Sequence, residues 1–255
     1  MSDTPDPAPE TPEPIARPPR PGRAREPSDP EKDERSALGF AWYRLVQWIL
    51  STLMSAIFGL RTTGRKNIPD RGPVMLVSNH LSHLDVLVIG ILLDRPLNYV
   101  ARSTLFFWPL APFIRSLGAF PIQRDGIGAQ GLKETLKRLK RGGIVTLFPE
   151  GTRTLDGDLG ELKAGIALLA AKARVPVLPA AIAGTFDAWP RSRGYPVTHP
   201  IRVHFGEPIP TDEVRTLGAE ALTALIRERI LRCQEVARRG VERDLDRGTF
   251  AEGGR

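Results

Sequence analysis

Seven consecutive residues, Asn79-His80-Leu81-Ser82-His83-Leu84-Asp85, place a histidine and a carboxylate five positions apart where an apolar run ends and a helical pattern begins. Strand ends of this kind are where α/β sheets gather their reactive groups. An imidazole can take a proton from a hydroxyl at neutral pH, and a neighbouring carboxylate fixes its tautomer and stabilises the imidazolium. His80 and Asp85 suit those two roles.

Two plainer readings compete. Ser82-x-x-Asp85 has the form of a capping box, in which Asp85 does no more than accept a backbone N–H at a helix start. His80, His83 and Asp85 also resemble part of a metal site, but no further Cys, His or acidic cluster nearby completes a ligand set, so no metal is expected.

A second constellation, Phe148-Pro149-Glu150-Gly151-Thr152-Arg153, also follows a strand-like run. A glycine, backbone donors, a hydroxyl and a guanidinium together suit an anion such as phosphate. The alternative is an ordinary turn, because Pro and Gly punctuate turns. A third segment, Gly118-Ala119-Phe120-Pro121-Ile122-Gln123-Arg124, offers Arg124 as a further cation for the same anion.

The elements that must position these groups follow from periodicity. Val74 to Ser78, Leu97 to Ala101, Phe120 to Ile122, Ile144 to Phe148, Val175 to Ala183 and Ile201 to Phe205 read as strands. Helical patterns lie between them at Leu84 to Leu93, around Leu132, Leu136 and Leu139, and around Leu162 to Ala173, with Ala219 to Arg239 closing the chain. The alternation predicts a single α/β domain with a largely parallel sheet flanked by helices over residues 63–240, followed by a flexible tail over 241–255.

Ahead of that domain, residues 1–36 hold ten of the 24 prolines and few large apolar side chains, the composition of a disordered tail. No basic, apolar and small-residue sequence marks a secretory signal there. Phe40 to Leu60 is the most apolar long stretch, within a membrane-anchoring helical segment over 37–62. Arg44 and Gln47 fall in its first third, and Trp42, Tyr43 and Trp48 suit headgroup depth, so an embedded or interfacial anchor competes with a spanning one. A core helix of a soluble fold is the remaining alternative.

The formal charge of +7 hides an asymmetry: the tail carries nine acids and six bases, leaving +10 for the rest. A basic surface meets nucleic acid or anionic lipid, and no RNP-type aromatic motif, zinc finger or basic zipper favours nucleic acid. Lys133, Lys137, Arg138, Lys140 and Arg141 concentrate charge on one segment, either a solvated face or a lipid contact worth about 1 kcal/mol per base. The single cysteine, Cys233, excludes a disulfide framework.

Taken together, the segments resemble the 1-acylglycerol-3-phosphate acyltransferases and their glycerolipid acyltransferase relatives, over roughly Asn79 to Ile182. The family's NHxSxxD motif is met at Asn79, His80, Ser82 and Asp85, and its FPEGTR motif in full at Phe148 to Arg153. Gly118 to Arg124 is similar to its glycine-to-arginine motif, and Val175-Pro176-Val177-Leu178-Pro179 to its proline-containing hydrophobic motif. Departures occur at Pro121 for an aromatic, Thr154 for serine, Leu162 for phenylalanine before Lys163-Ala164-Gly165, and Arg102 for lysine.

The resemblance implies transfer of a fatty acyl group from a thioester to a lysophosphatidate hydroxyl, forming phosphatidic acid. It implies His80 as base and Asp85 as its orienter, with no acyl-enzyme intermediate. Arg124, Glu150, Gly151, Thr152 and Arg153 are implied to hold the acceptor phosphate, and Asn79, Ser82, Gly118, Lys163 and Pro179 to support the site. The donor is acyl-CoA or acyl carrier protein, with no other cofactor, and the partner is a phospholipid membrane. Arg-, Ala-, Gly- and Pro-rich usage suggests a high-GC bacterium and the cytoplasmic face of its inner membrane. Another lysolipid or glycerol 3-phosphate as acceptor, or a non-catalytic lipid-binding role, are the rival functions. Gly126-Ile127-Gly128-Ala129-Gln130-Gly131 fits a dinucleotide fingerprint, but Gln123, Arg124 and Asp125 separate it from the strand it should directly follow.

Overall fold

The computed structural model describes residues 37–102, 108, 110–122 and 129–248. Strands β1 (Arg61–Thr63), β2 (Val74–Ser78), β3 (Leu97–Arg102), β4 (Ala119–Ile122), β5 (Ile144–Leu147), β6 (Val177–Ala183) and β7 (Arg202–Phe205) form one sheet in the order β1-β7-β6-β2-β5-β3-β4. Every pairing is parallel except β6 with β7. The largely parallel sheet is therefore present, with two strands running against the other five.

Helices α1 (Ala37–Phe58), α2 (Asp85–Leu92), α3 (Leu110–Ser116), α4 (Ala129–Lys140), α5 (Gly165–Ala173), α6 (Thr185–Ala188), α7 (Thr211–Thr216) and α8 (Ala219–Asp246) complete the described chain. Successive strand side chains point to opposite faces, so β2 divides its apolar residues between two cores. Val74 and Leu76 face α1 and α2, whereas Met75 and Val77 face α4, α5 and α8. This double burial explains the unbroken apolar runs of β2 and β6.

Two boundaries differ from expectation. Arg61–Thr63 belongs to the sheet, paired with β7, so the segment predicted as an anchor over 37–62 ends inside a strand. Helix α8 continues to Asp246, correcting the flexible tail expected from residue 241. Val241 continues the apolar spacing of Ile226, Ile230, Cys233 and Ala237 and packs against Ala183 and Ala237, while buried Asp244 meets Arg61 and Arg202, ion pairs that an apolar period does not reveal. The β6–β7 reversal is likewise silent in the sequence, because strand patterning carries no direction.

The polar residues within the apolar N-terminal run also find their reason. Gln47 is buried between α1 and α2, and its Nε2 donates to the carbonyls of Gly90, Ile91 and Leu93 at 3.2, 3.4 and 2.6 Å. These groups end α2 without an intrahelical partner for their oxygens, so Gln47 caps α2 from outside. Arg44 Nη1 donates to Gln47 Oε1 at 2.8 Å. The opposite flank exposes Phe40, Trp42, Leu45, Trp48, Ile49, Leu53 and Ile57. No described helix is long and apolar enough to cross a membrane.

Candidate active site

The chain leaves β2 and crosses to β3 on one side, then leaves β5 and crosses to β6 on the other, so the carboxyl ends of β2, β5 and β6 border a topological switch point. Residues 79–85, 148–153 and 184–185 emerge there together. The first of these begins with Asn79, which is fully buried and imitates a strand residue: its Nδ2 donates to Ile182 O and its Oδ1 accepts Ile182 N–H, both at 2.9 Å. A side-chain amide thus adds a rung to the β2–β6 ladder and delivers His80 from a fixed point.

His80 Nδ1 lies 2.8 Å from Asp85 Oδ2. The ring stacks on Phe148, with centroids 4.1 Å apart and planes 17° from parallel. Nε2 has no hydrogen-bond partner among the described residues, and the His80 side chain retains 20% exposure. Asp85 itself is fully enclosed. Its Oδ2 also accepts the N–H groups of Leu81 and Ser82 at 2.6 and 2.7 Å, and Thr185 Oγ1 donates to Oδ1 at 2.7 Å. The capping reading and the dyad reading are both realised, because one carboxylate orders the turn before α2 and aligns the imidazole.

Ser82 serves the same turn. Its hydroxyl donates to Trp189 O at 2.7 Å and accepts Leu84 N–H at 3.2 Å. His83 is exposed beside the Trp189 ring, 5.5 Å away. Among the described residues no group of three His, Cys, Asp or Glu side chains is arranged to hold a metal.

Glu150 is held from within the fold. Both of its carboxylate oxygens are engaged by backbone, Oε1 accepting His80 N–H at 2.8 Å and Oε2 accepting Gly160 N–H at 2.9 Å. Desolvation by burial raises its carboxyl above the usual range, against the lowering effect of the Gly160 and His80 amides. The resemblance expects Glu150 at the acceptor phosphate; in the structure it braces the His80 loop against the 150–160 segment, and Thr154 N–H adds a bond to His80 O at 2.9 Å.

The rest of the FPEGTR segment is a turn open to solvent. Gly151 adopts φ 71°, and a Cβ there would sit 2.6 Å from Lys163 Cε and 2.7 Å from its Nζ. Glycine is favoured by the left-handed backbone, and the end of the Lys163 side chain passes over it. Gly151, Thr152 and Lys163 are exposed and Arg153 is half-buried, which leaves a hydroxyl and two cations around one turn. Lys163 is tied to the segment by its own N–H, which donates to Pro149 O at 2.9 Å.

Pro179 is a buried β6 residue opposite Val77, and its carbonyl accepts Gly206 N–H at 2.8 Å. Gly118, at φ 95°, turns the chain into β4. Arg124 lies outside the described residues, as do Gly126 to Gly128 of the glycine-rich stretch, while Ala129 opens α4. Thr185 and Trp189 went unremarked in the sequence, where nothing distinguishes a threonine a hundred positions from its carboxylate.

The Acyltransferase family model matches residues 59–183, the span that carries the dyad and the FPEGTR turn. A 1-acyl-sn-glycerol-3-phosphate acyltransferase of Bacillus subtilis is 31% identical over 145 residues, covering 56% of this chain and 71% of that one. A chloroplastic 1-acyl-sn-glycerol-3-phosphate acyltransferase of Arabidopsis thaliana is 32% identical over 64% of this chain and 47% of its own length, so the chain spans about half of that plant relative. The crystal structure of the 1-acyl-sn-glycerophosphate (LPA) acyltransferase of Thermotoga maritima superposes with a TM-score of 0.67 at 25% identity, covering 80% of each chain. The chain belongs to the 1-acyl-sn-glycerol-3-phosphate acyltransferase family.

Proposed function

We propose that the protein transfers a fatty acyl group from a thioester, carried on coenzyme A or acyl carrier protein, to the free hydroxyl of 1-acylglycerol-3-phosphate, forming phosphatidic acid. The observation that carries this reading is the His80–Asp85 pair, joined at 2.8 Å on a partly exposed ring whose Nε2 has no hydrogen-bond partner among the described residues. His80 Nε2 takes the hydroxyl proton as the oxygen attacks the thioester carbonyl; the new C–O bond forms, the C–S bond breaks, and the proton passes to the departing thiolate. Asp85 holds the tautomer and stabilises the imidazolium.

Gly151, Thr152, Arg153 and Lys163 are assigned to the acceptor phosphate, with Arg124 as a further candidate. Fixing that phosphate places the hydroxyl for attack, and positioning of this kind lowers a bimolecular barrier substantially. The exposed apolar and aromatic flank of α1 is assigned to the surface of a phospholipid membrane, on its cytoplasmic side, where such side chains favour headgroup depth. The helix would lie along the interface, because its opposite flank is committed to α2.

The deciding experiment is transfer of labelled acyl groups from acyl-CoA and acyl carrier protein to lysophosphatidate by wild type and His80→Ala in detergent or vesicles. Transfer that collapses in the variant establishes the reaction and its base. Equal transfer by both proteins rejects His80, and none from either donor to this acceptor rejects the proposed reaction.

A further inference from the structure

Asp85 has two oxygens with different neighbours. Oδ2 faces His80 and the amides of Leu81 and Ser82, all supplied by its own loop. Oδ1 is met by Thr185 Oγ1 at 2.7 Å, from the turn after β6. Thr185 is fully buried, as is the carboxylate it touches. The turn that presents it is tightly built: Gly184 has φ 87°, and a Cβ there would collide with the carbonyl oxygen of Pro200. Four residues farther on, Trp189 O accepts the hydroxyl of Ser82, so the same segment grips both ends of the Ser82-x-x-Asp85 turn.

A carboxylate held at one oxygen can still rotate about its Cβ–Cγ bond, since that torsion is broad. A donor on the second oxygen fixes the plane of the group, and with it the lone pair that Oδ2 presents to His80 Nδ1. We propose that Thr185 is a positioning residue of the reactive centre, whose hydroxyl locks the Asp85 carboxylate in the plane that aligns His80. This inference rests on the acyl-transfer reading. Thr185 contacts neither substrate nor the reacting atoms, and its effect passes entirely through Asp85 to the ring. β-Branching restricts its side-chain torsion, so a threonine presents the hydroxyl with little freedom to lose.

The test compares Thr185→Val, which keeps the shape and removes the donor, with Thr185→Ser, which keeps the donor. Wild type and His80→Ala are run alongside in detergent with acyl-CoA and lysophosphatidate. The second readout is the downfield Nδ1 proton resonance of His80 in the ligand-free protein, assigned by its loss in His80→Ala. The expected result is a fall in kcat of about tenfold or more for the valine variant, the scale of a hydrogen bond to a charged group, with acceptor KM unchanged and the resonance displaced. Serine should restore both. A valine variant with wild-type kcat and resonance overturns the proposal, as does a serine variant that fails alongside valine. If valine does not fold, Thr185→Cys, of similar size with a weak donor, must show the same loss. Should wild type transfer no acyl group, the reaction is at fault, and the resonance still decides the role of Thr185.

Discussion

Phe148, the first residue of the FPEGTR segment, lies flat on the ring of His80 at a centroid distance of 4.1 Å. The two most distinctive stretches of the sequence are thus one object in space. Stacking fixes the plane of the imidazole while Asp85 fixes its rotation, so the free Nε2 has one direction. Phe148→Leu keeps apolar volume and loses the parallel face. Its kcat should fall several-fold, consistent with about 0.5–1.5 kcal/mol for such a ring pair, with acceptor KM unchanged in steady-state assays.

His80→Ala should lower kcat by about 10² to 10⁴-fold, the usual contribution of a general base. Its thermal midpoint should stay near wild type, because the ring is partly exposed and its backbone contacts remain. Asp85→Asn should be harsher on the fold. The amide turns a donor towards one of the four donors that now converge on the carboxylate, at a cost of about 1–3 kcal/mol, readable by denaturant unfolding.

Glu150→Gln separates bracing from phosphate binding. A lost brace lowers kcat and spares the acceptor KM, whereas a lost phosphate ligand raises KM. Burial makes the folded protein bind the Glu150 proton more tightly than the unfolded chain does. The stabilisation from this group is therefore full below the ordinary carboxyl range, near pH 4, and is lost as pH rises through the higher folded value. Glutamine has no such dependence. The melting temperature of the variant should rise relative to wild type as pH increases above about 4, and a difference that stays constant refutes the linkage.

Cys233 is buried, and desolvation pushes its thiol up to about 12. A thiol so rarely ionised is a poor nucleophile. N-ethylmaleimide should leave the native protein active and label it only on unfolding, as mass spectrometry would read. Labelling with inactivation under native conditions would require an opening of the α8 packing.

Trp48→Glu combined with Leu45→Glu places two charges on the exposed flank of α1. Removing about 1.5–3 kcal/mol of burial per side chain should weaken sedimentation with phospholipid vesicles more than tenfold. Undiminished vesicle binding would move the membrane contact elsewhere.

What the sequence made legible was local. His80 and Asp85 are five positions apart, so their chemistry shows in one line of text, and strand and helix periods locate the turn that carries them. The bracing contacts of Glu150 are hidden because its partners are backbone amides of residues 80 and 160, which no residue type announces. Thr185 was missed for the same reason in reverse, as an ordinary side chain made significant by a fold that carries it across the sheet. At the end of α8 the apolar spacing through Val241 and Leu245 is legible, whereas Asp244 reads as a solvated acid until Arg202 and Arg61 are placed beside it.

Helices α1 and α4 lie on opposite faces of the sheet, and this orients the molecule's charge. The separation between their axes is two helix-to-sheet layers, about 20 Å, against a Debye length of about 8 Å at physiological ionic strength. A protein resting on a bilayer by the outer flank of α1 turns Lys133, Lys137, Lys140 and Arg141 towards the water, beyond the reach of the headgroups beneath it. Those four charges then contribute little to the attachment, and the cationic helix faces whatever approaches from solution.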